Sequence, residues 1–172
     1  MADANTVTAR ISFQVTALEE LGATNTPSAP AASRRVTHSD FNFSPTTNPL
    51  TASSDPPVSK VAGFLVTLAD SAGEIDLTAL TGTNGATVDA TGLRLQALLI
   101  EAASDNSAVV NIAPGAANGY DLFGASGSVD IAAGAAIAAF LNDAGSNVGA
   151  SECILDLAGT TGDVVNVLMV LG

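Results

Sequence analysis

Tryptophan is missing from this chain of 172 residues, and aromatic bulk of any kind is scarce: one Tyr and six Phe. A core must then be filled by Val, Leu, Ile and a great deal of Ala, and a sugar site built on stacked aromatic platforms has little to draw on. Cysteine is nearly absent too. The single Cys153 excludes an internal disulfide, and with His38 as the one histidine there is no Cys/His cluster for zinc. Cys153 precedes Ile154 in an apolar run, which suits a buried, inert thiol better than a nucleophile. Metal-dependent catalysis of the cupin kind needs several His. Ser/His/Asp catalysis would have to recruit His38 from a proline-rich segment, and no G-x-S-x-G elbow occurs. No catalytic residue, cofactor site or metal site is expected, and the chain does not read as an enzyme.

Positive charge is the next shortage. Lys and Arg number 5 against 17 Asp and Glu, for a formal net charge of −12. From Val61 onward Arg94 is the one basic side chain. Such a surface repels phosphate backbones, so direct nucleic-acid binding is not expected. Long hydrophobic runs are lacking as well. The apolar stretches are too short, and too punctuated by Gly and Asp, to span a bilayer. The start MADANTVTAR has no basic region followed by an apolar one, so synthesis in a cytoplasm without a secretion signal is the expectation.

What is there is strand pattern. In Thr6–Ala17, Val7, Ala9, Ile11, Phe13, Val15 and Ala17 alternate with polar residues at period two, which predicts a strand with one face on a core. Gly22–Lys60 then holds six of the seven prolines (Pro27, Pro30, Pro45, Pro49, Pro56, Pro57) among Ser, Thr, Asn and Ala, which reads as extended, irregular chain. A run of this length inside a compact domain is a linker, a disordered segment or a functional arm. Arg34 and Arg35 concentrate positive charge there, and Phe41 and Phe43 supply paired apolar anchors that a free linker seldom carries. These four residues are the candidate partner-binding set, on an arm that would lie against another surface.

From Val61 the strand pattern returns. Val61–Ala69, Glu74–Leu80, Ala108–Ala113, a short Tyr120–Phe123, Glu152–Ala158 and Asp163–Leu171 are the expected strands, separated by turns such as Asp70-Ser71 and Asn84-Gly85. Leu93–Ala102 and the Ala-rich Gly127–Asp143 fit either a strand or a short helix. The strand pattern around the second favours Val129–Ala132 and Ala135–Leu141 as two strands about Ala133-Gly134. Acid-rich turns at Asp70/Glu74/Asp76 and at Asp143 offer oxygen ligands for Ca²⁺, but no EF-hand spacing accompanies them. The sum is nine or ten short strands with close, even turn signals and no helices between them, which predicts an all-β antiparallel sandwich or barrel. The expected organisation is 1–21 as an N-terminal strand pairing with the main domain, 22–60 as the arm and 61–172 as the sandwich.

At TGLRLQALLIEAASDNSAVVNIAPGAANGYDLFGASGSVDIAAGAAIAAFLND and the closing DLAGTTGDVVNVLMVLG, the chain resembles small structural proteins of tailed-phage virions. The shared pattern is N-x-x-x-V-x-I-x-x-G, then G-Y-x-L-x-G, then V-x-I-x-x-G, then a terminal strand ending in Gly, over about residues 75–172. The resemblance implies a jelly-roll-like fold, a decoration, cement or minor capsid role and location in the virion. The implied partners are other copies of the chain, as a homo-oligomer, and a capsid or particle lattice. The competing expectation is a carbohydrate-binding or adhesive β-sandwich module.

Overall fold

The closing segment shows why this chain makes sheets. Val164–Leu171 is almost wholly Val, Leu and Met, with β-branched residues that favour extended backbone and no proline or glycine to interrupt a ladder. Its odd positions Val165, Val167, Met169 and Leu171 are all buried. The same logic repeats along the chain.

The computed structural model describes residues 7–10, 12–20, 35–43, 50–55, 57–82, 85–124, 126–141 and 146–172. Among them the strands are β1 (Thr8–Ala9), β2 (Phe13–Glu20), β3 (Arg35–Phe43), β4 (Leu50–Thr51), β5 (Lys60–Thr67), β6 (Ala72–Asp76) and β7 (Leu80–Thr81). They continue with β8 (Thr87–Val88), β9 (Leu95–Ala102), β10 (Val110–Pro114), β11 (Val129–Ile131), β12 (Ala136–Phe140), β13 (Ile154–Ala158) and β14 (Val164–Leu171). No helix occurs among the described residues.

Eight of these strands pair as a nest. The first, β5, pairs with the last, β14; β6 pairs with β13, β9 with β12 and β10 with β11, all antiparallel. Two further ladders, β14 with β9 and β10 with β13, join the four ribbons into the sheets β12-β9-β14-β5 and β11-β10-β13-β6. This nested order is that of a jelly roll. The sandwich is all-β and antiparallel.

Between the sheets lie Ala62, Leu98, Ile100, Val167 and Met169 from one and Ile75, Val110, Ile112, Ile131, Leu155 and Leu157 from the other. Tyr120 is fully buried among them. Its hydroxyl donates to the Ser146 carbonyl (2.8 Å) and accepts from the Leu95 N–H (3.4 Å), so its polar tip is satisfied. Burial raises its pKa above the ordinary phenol value. Asp163 is the buried carboxylate among the described residues. It accepts from the backbone N–H groups of Ser107 (2.7 Å) and Thr160 (2.9 Å), which hold it below the usual carboxylate pKa.

Both ambiguous segments are strands. Leu95–Ala102 is β9, and the Ala-rich stretch forms β11 and β12 about a turn with Gly134 at φ 73°. The two do not pair with each other. Gly134 donates to the Ala102 carbonyl (3.0 Å), and the chain passes from one sheet to the other at this corner. The Asp70–Ser71 turn makes a similar corner between β5 and β6, with both residues at positive φ and Ala69 and Ala72 exchanging backbone hydrogen bonds of 2.9 Å each.

Two expected strands depart from the structure, one by stopping early and one by not forming. The alternation through Ile75, Leu77 and Ala79 breaks after Asp76, whose Oδ1 accepts from the Thr78 N–H (2.8 Å) and hydroxyl (2.7 Å) and bends the chain. Ala79 is exposed and Leu80 is buried in its place. Tyr120–Phe123 is no strand. It is the loop that delivers the Tyr120 plug, with the Tyr120 N–H donating to the Ile154 carbonyl at 2.7 Å.

The chain divides into two units: the sandwich, which takes in residues up to Ala9 and from Leu50 onward, and Arg10–Pro49. The expected strand Thr6–Ala17 is split accordingly. Thr8–Ala9 pairs with Leu50–Thr51 in the sandwich unit, while Phe13–Glu20 pairs with Arg35–Phe43 in the second. Part of the proline-rich segment is therefore regular strand. Pro30 and Pro45 bracket a proline-free stretch, which keeps every backbone donor a ladder needs. At the other end, Val58 is fully buried and Ser59 donates to the Leu171 carbonyl (2.9 Å), so the sandwich includes residues the composition had assigned to the arm.

Candidate functional site

A strand of an antiparallel sandwich normally alternates apolar-in with polar-out. Two strands here do not. In β5, Ala62, Phe64 and Val66 pack against the core, yet Val61 and Leu65 on the opposite side are also apolar. In β14 the inward set Val165, Val167, Met169 and Leu171 is matched by Val164, Leu168 and Val170 outward, with Asn166 as the exception. A strand with apolar residues on both sides has two faces to cover.

The ladder registers assemble these outward residues into rows across the β12-β9-β14-β5 sheet. One row runs Ala138, Leu99, Leu168, Gly63; the next runs Ala136, Glu101, Asn166, Leu65; a third runs Phe140, Ala97, Val170, Val61. Val170 and Ala97 are already covered, whereas Leu65, Leu99 and Leu168 are 62%, 41% and 42% exposed. Of the four exposed large hydrophobic residues among those described, three stand on this face. Its one carboxylate is Glu101.

The other outer face is the opposite in chemistry. On β11-β10-β13-β6 the rows run Asp130, Asn111, Ala158, Ala72 and then Ala113, Asp156, Glu74, with Asp76 beside Ile154. Four carboxylates and no base occupy it. Asp130 accepts from the Asn111 amide (2.7 Å) and Asp156 from the Ala116 N–H (2.9 Å). Where the faces meet, an open groove of about 300 Å³ runs beside β5 and β6, with Phe64 and Val66 on one wall and Glu74 and Asp76 on the other.

The residues singled out from sequence fall as follows. Arg34 lies outside the described residues. Arg35, Phe41 and Phe43 are on β3, where the register sets Arg35 opposite Glu20, Phe41 opposite Val15 and Phe43 opposite Phe13. His38 is on the same strand, opposite Ala17. Cys153 is a free, buried thiol, and burial first, then the charges of Asp76 and Glu74, push its pKa up, which disfavours the thiolate. Among the described residues no three His, Cys, Asp or Glu side chains gather as a metal site, and Asp143 lies outside them. No helix there is long and apolar enough to cross a membrane.

The apolar sheet face escaped the sequence reading, although its signal was present. VAGFLVTLA and VVNVLMVL are continuous apolar runs where one-sided strands would alternate.

Nested pairing and two unlike outer faces define the class: an antiparallel jelly-roll sandwich with one apolar and one acidic surface. Known proteins take the identity no further, because the chain matches no family model, no curated protein and no solved structure.

Proposed function

We propose that this chain is a non-enzymatic structural protein of a virus particle, a capsid decoration, cement or minor capsid protein. Its sandwich is the body of the subunit, and the Arg10–Pro49 excursion is the element that grips the particle lattice. The observation that carries this reading is the neck of the excursion. The chain leaves the sandwich at Ala9 and rejoins it at Leu50, and these two residues are paired partners in the β1–β4 ladder. A 40-residue unit that leaves and rejoins the sandwich through paired residues is an insertion at one point of its chain, which suits a docking element. Jelly rolls recur in viral capsids and in lectins, so the fold supports the class by analogy only. The glycan-binding alternative draws nothing from Tyr120, which is fully buried and so is no platform for a sugar ring.

The test is to purify assembled particles from the source that encodes the chain and quantify it by mass spectrometry. A fixed stoichiometry per particle is expected; recovery only in the particle-free fraction would sink the proposal. A variant with residues 10–49 replaced by Gly-Gly, a bridge of hairpin length that paired residues accept, supplies a second test. It should keep the melting transition of the sandwich and lose the particle.

A further inference from the structure

We infer that the outer face of the β12-β9-β14-β5 sheet is a homodimer interface, and that two copies close it about a two-fold axis running along the strands between β9 and β14. This inference rests on the sheet face alone and stands whether or not the chain belongs to a virus particle.

The occupant is argued from charge and from register. A net charge of −12 makes most approaches between two copies repulsive. The outward carboxylates Asp130, Asp156, Glu74 and Asp76 lie on the other sheet, so copies meeting through the apolar face keep those charges on the far sides of the pair. An axis along the strands exchanges β9 with β14 and β12 with β5, and keeps each row in place. Leu99 of one copy then meets Leu168 of the other, both large and about two-fifths exposed. Leu65, the most exposed, meets Ala136, a small residue that leaves room for it. Ala138 meets Gly63. The only outward carboxylate of the face, Glu101, meets Asn166, whose amide N–H groups can donate to it. Each contact occurs twice, as an isologous interface requires.

The area sets the strength. About five residues per strand at roughly 3.3 Å, on four strands about 4.8 Å apart, give about 320 Å² of sheet plane. A flat patch of that extent is small beside the roughly 800 Å² per partner of a standard interface, which points to a weak dimer, and a Kd of micromolar order is the value put to the test.

Sedimentation velocity on the full chain tests this between about 1 and about 100 µM, the range that such a Kd predicts. Wild type should shift from monomer toward dimer across it. Leu168→Lys and Leu99→Glu alter exposed positions, and circular dichroism melts should confirm that both variants fold. Each places its new charge against a leucine twice per dimer and should weaken association by about a hundredfold. An equimolar mixture of the two should dimerise again, because the heterodimer pairs the introduced lysine with the introduced glutamate once and keeps one Leu–Leu contact. A wild-type chain that stays monomeric throughout, single variants that dimerise like wild type, or a mixture that shows no recovery would each overturn the two-fold. Loss of particle binding by Leu168→Lys in a chain that never self-associates would assign the face to a lattice protein instead.

Discussion

The two outer faces of this sandwich are made by the same pleat and end up chemically opposite. On one, the outward positions of β5, β14, β9 and β12 carry Leu65, Leu168, Leu99, Ala136 and Ala138 with a single carboxylate. On the other, β6, β13, β10 and β11 present Glu74, Asp76, Asp156 and Asp130. Both sheets bury an apolar inner face in one core, so the core imposes neither pattern. The acidic face is what a soluble sheet ordinarily shows to water, whereas the apolar one exposes leucines at a cost in solubility unless something covers it. That asymmetry is the strongest functional statement in the molecule.

The comparison breaks most visibly inside against outside. Leu155 on β13 is fully buried between the sheets, and Leu155→Ala should lower unfolding free energy by about 2–5 kcal/mol, the range for leucine truncation in a core that cannot collapse. Leu168→Ala, on a face 42% open, should change it by no more than about 0.5 kcal/mol in dilute solution. Urea titrations of the two variants measure the contrast. Equal losses would mean that the leucine row is part of the fold and is no attachment surface.

A second contrast sets the buried carboxylate against the exposed ones. Asp163 is held by backbone donors that favour its charged form, so its folded pKa lies below its unfolded value of about 3.9. A group shifted in this direction adds stability that is fully present above the unfolded pKa and is lost as pH falls through the folded one. Asp163→Asn should therefore lower the melting temperature by several degrees near neutral pH, with the gap to wild type closing below about pH 4. Melting curves from acid to neutral pH supply the check. A gap independent of pH would mean that the side chain acts through shape and not through charge.

How much of this was legible in the chain follows from range. Period-two alternation in ECILDLA predicts burial of Cys153, Leu155 and Leu157, and all three are buried, because a strand's two faces are decided within the strand itself. The Asp70–Ser71 corner was legible for the same local reason. The strand ending at Asp76 was not, since the alternation continues through Leu77 and Ala79 and only the carboxylate's capture of Thr78 interrupts it. Tyr120 gave no sign of its role, because its partners Ser146 and Leu95 are distant in sequence. The site was the least legible feature. Leu99 and Leu168 become neighbours only through the β9–β14 register, which pairs strands separated by most of the sandwich. Continuous apolar runs announced two-sided strands, but which rows they would form depends on the nested order.

The smallest effect probes the acidic face directly. Glu74 and Asp156 are directly opposed across the β6–β13 ladder, and like charges so placed destabilise a sheet. Glu74→Lys replaces that repulsion with an opposite-charge pair and should stabilise the fold by about 0.2–1 kcal/mol. The gain should shrink as salt rises, because both groups are solvated and the Debye length falls to about 10 Å at 0.1 M salt. On the apolar face Leu168→Lys reaches a carboxylate only diagonally, at Glu101 on β9, so any salt-dependent gain there should be smaller. Urea titrations at low and high salt separate the two. A gain at Glu74 that ignored salt would show that its charge is not what distinguishes this face, and the contrast would then rest on the leucines alone.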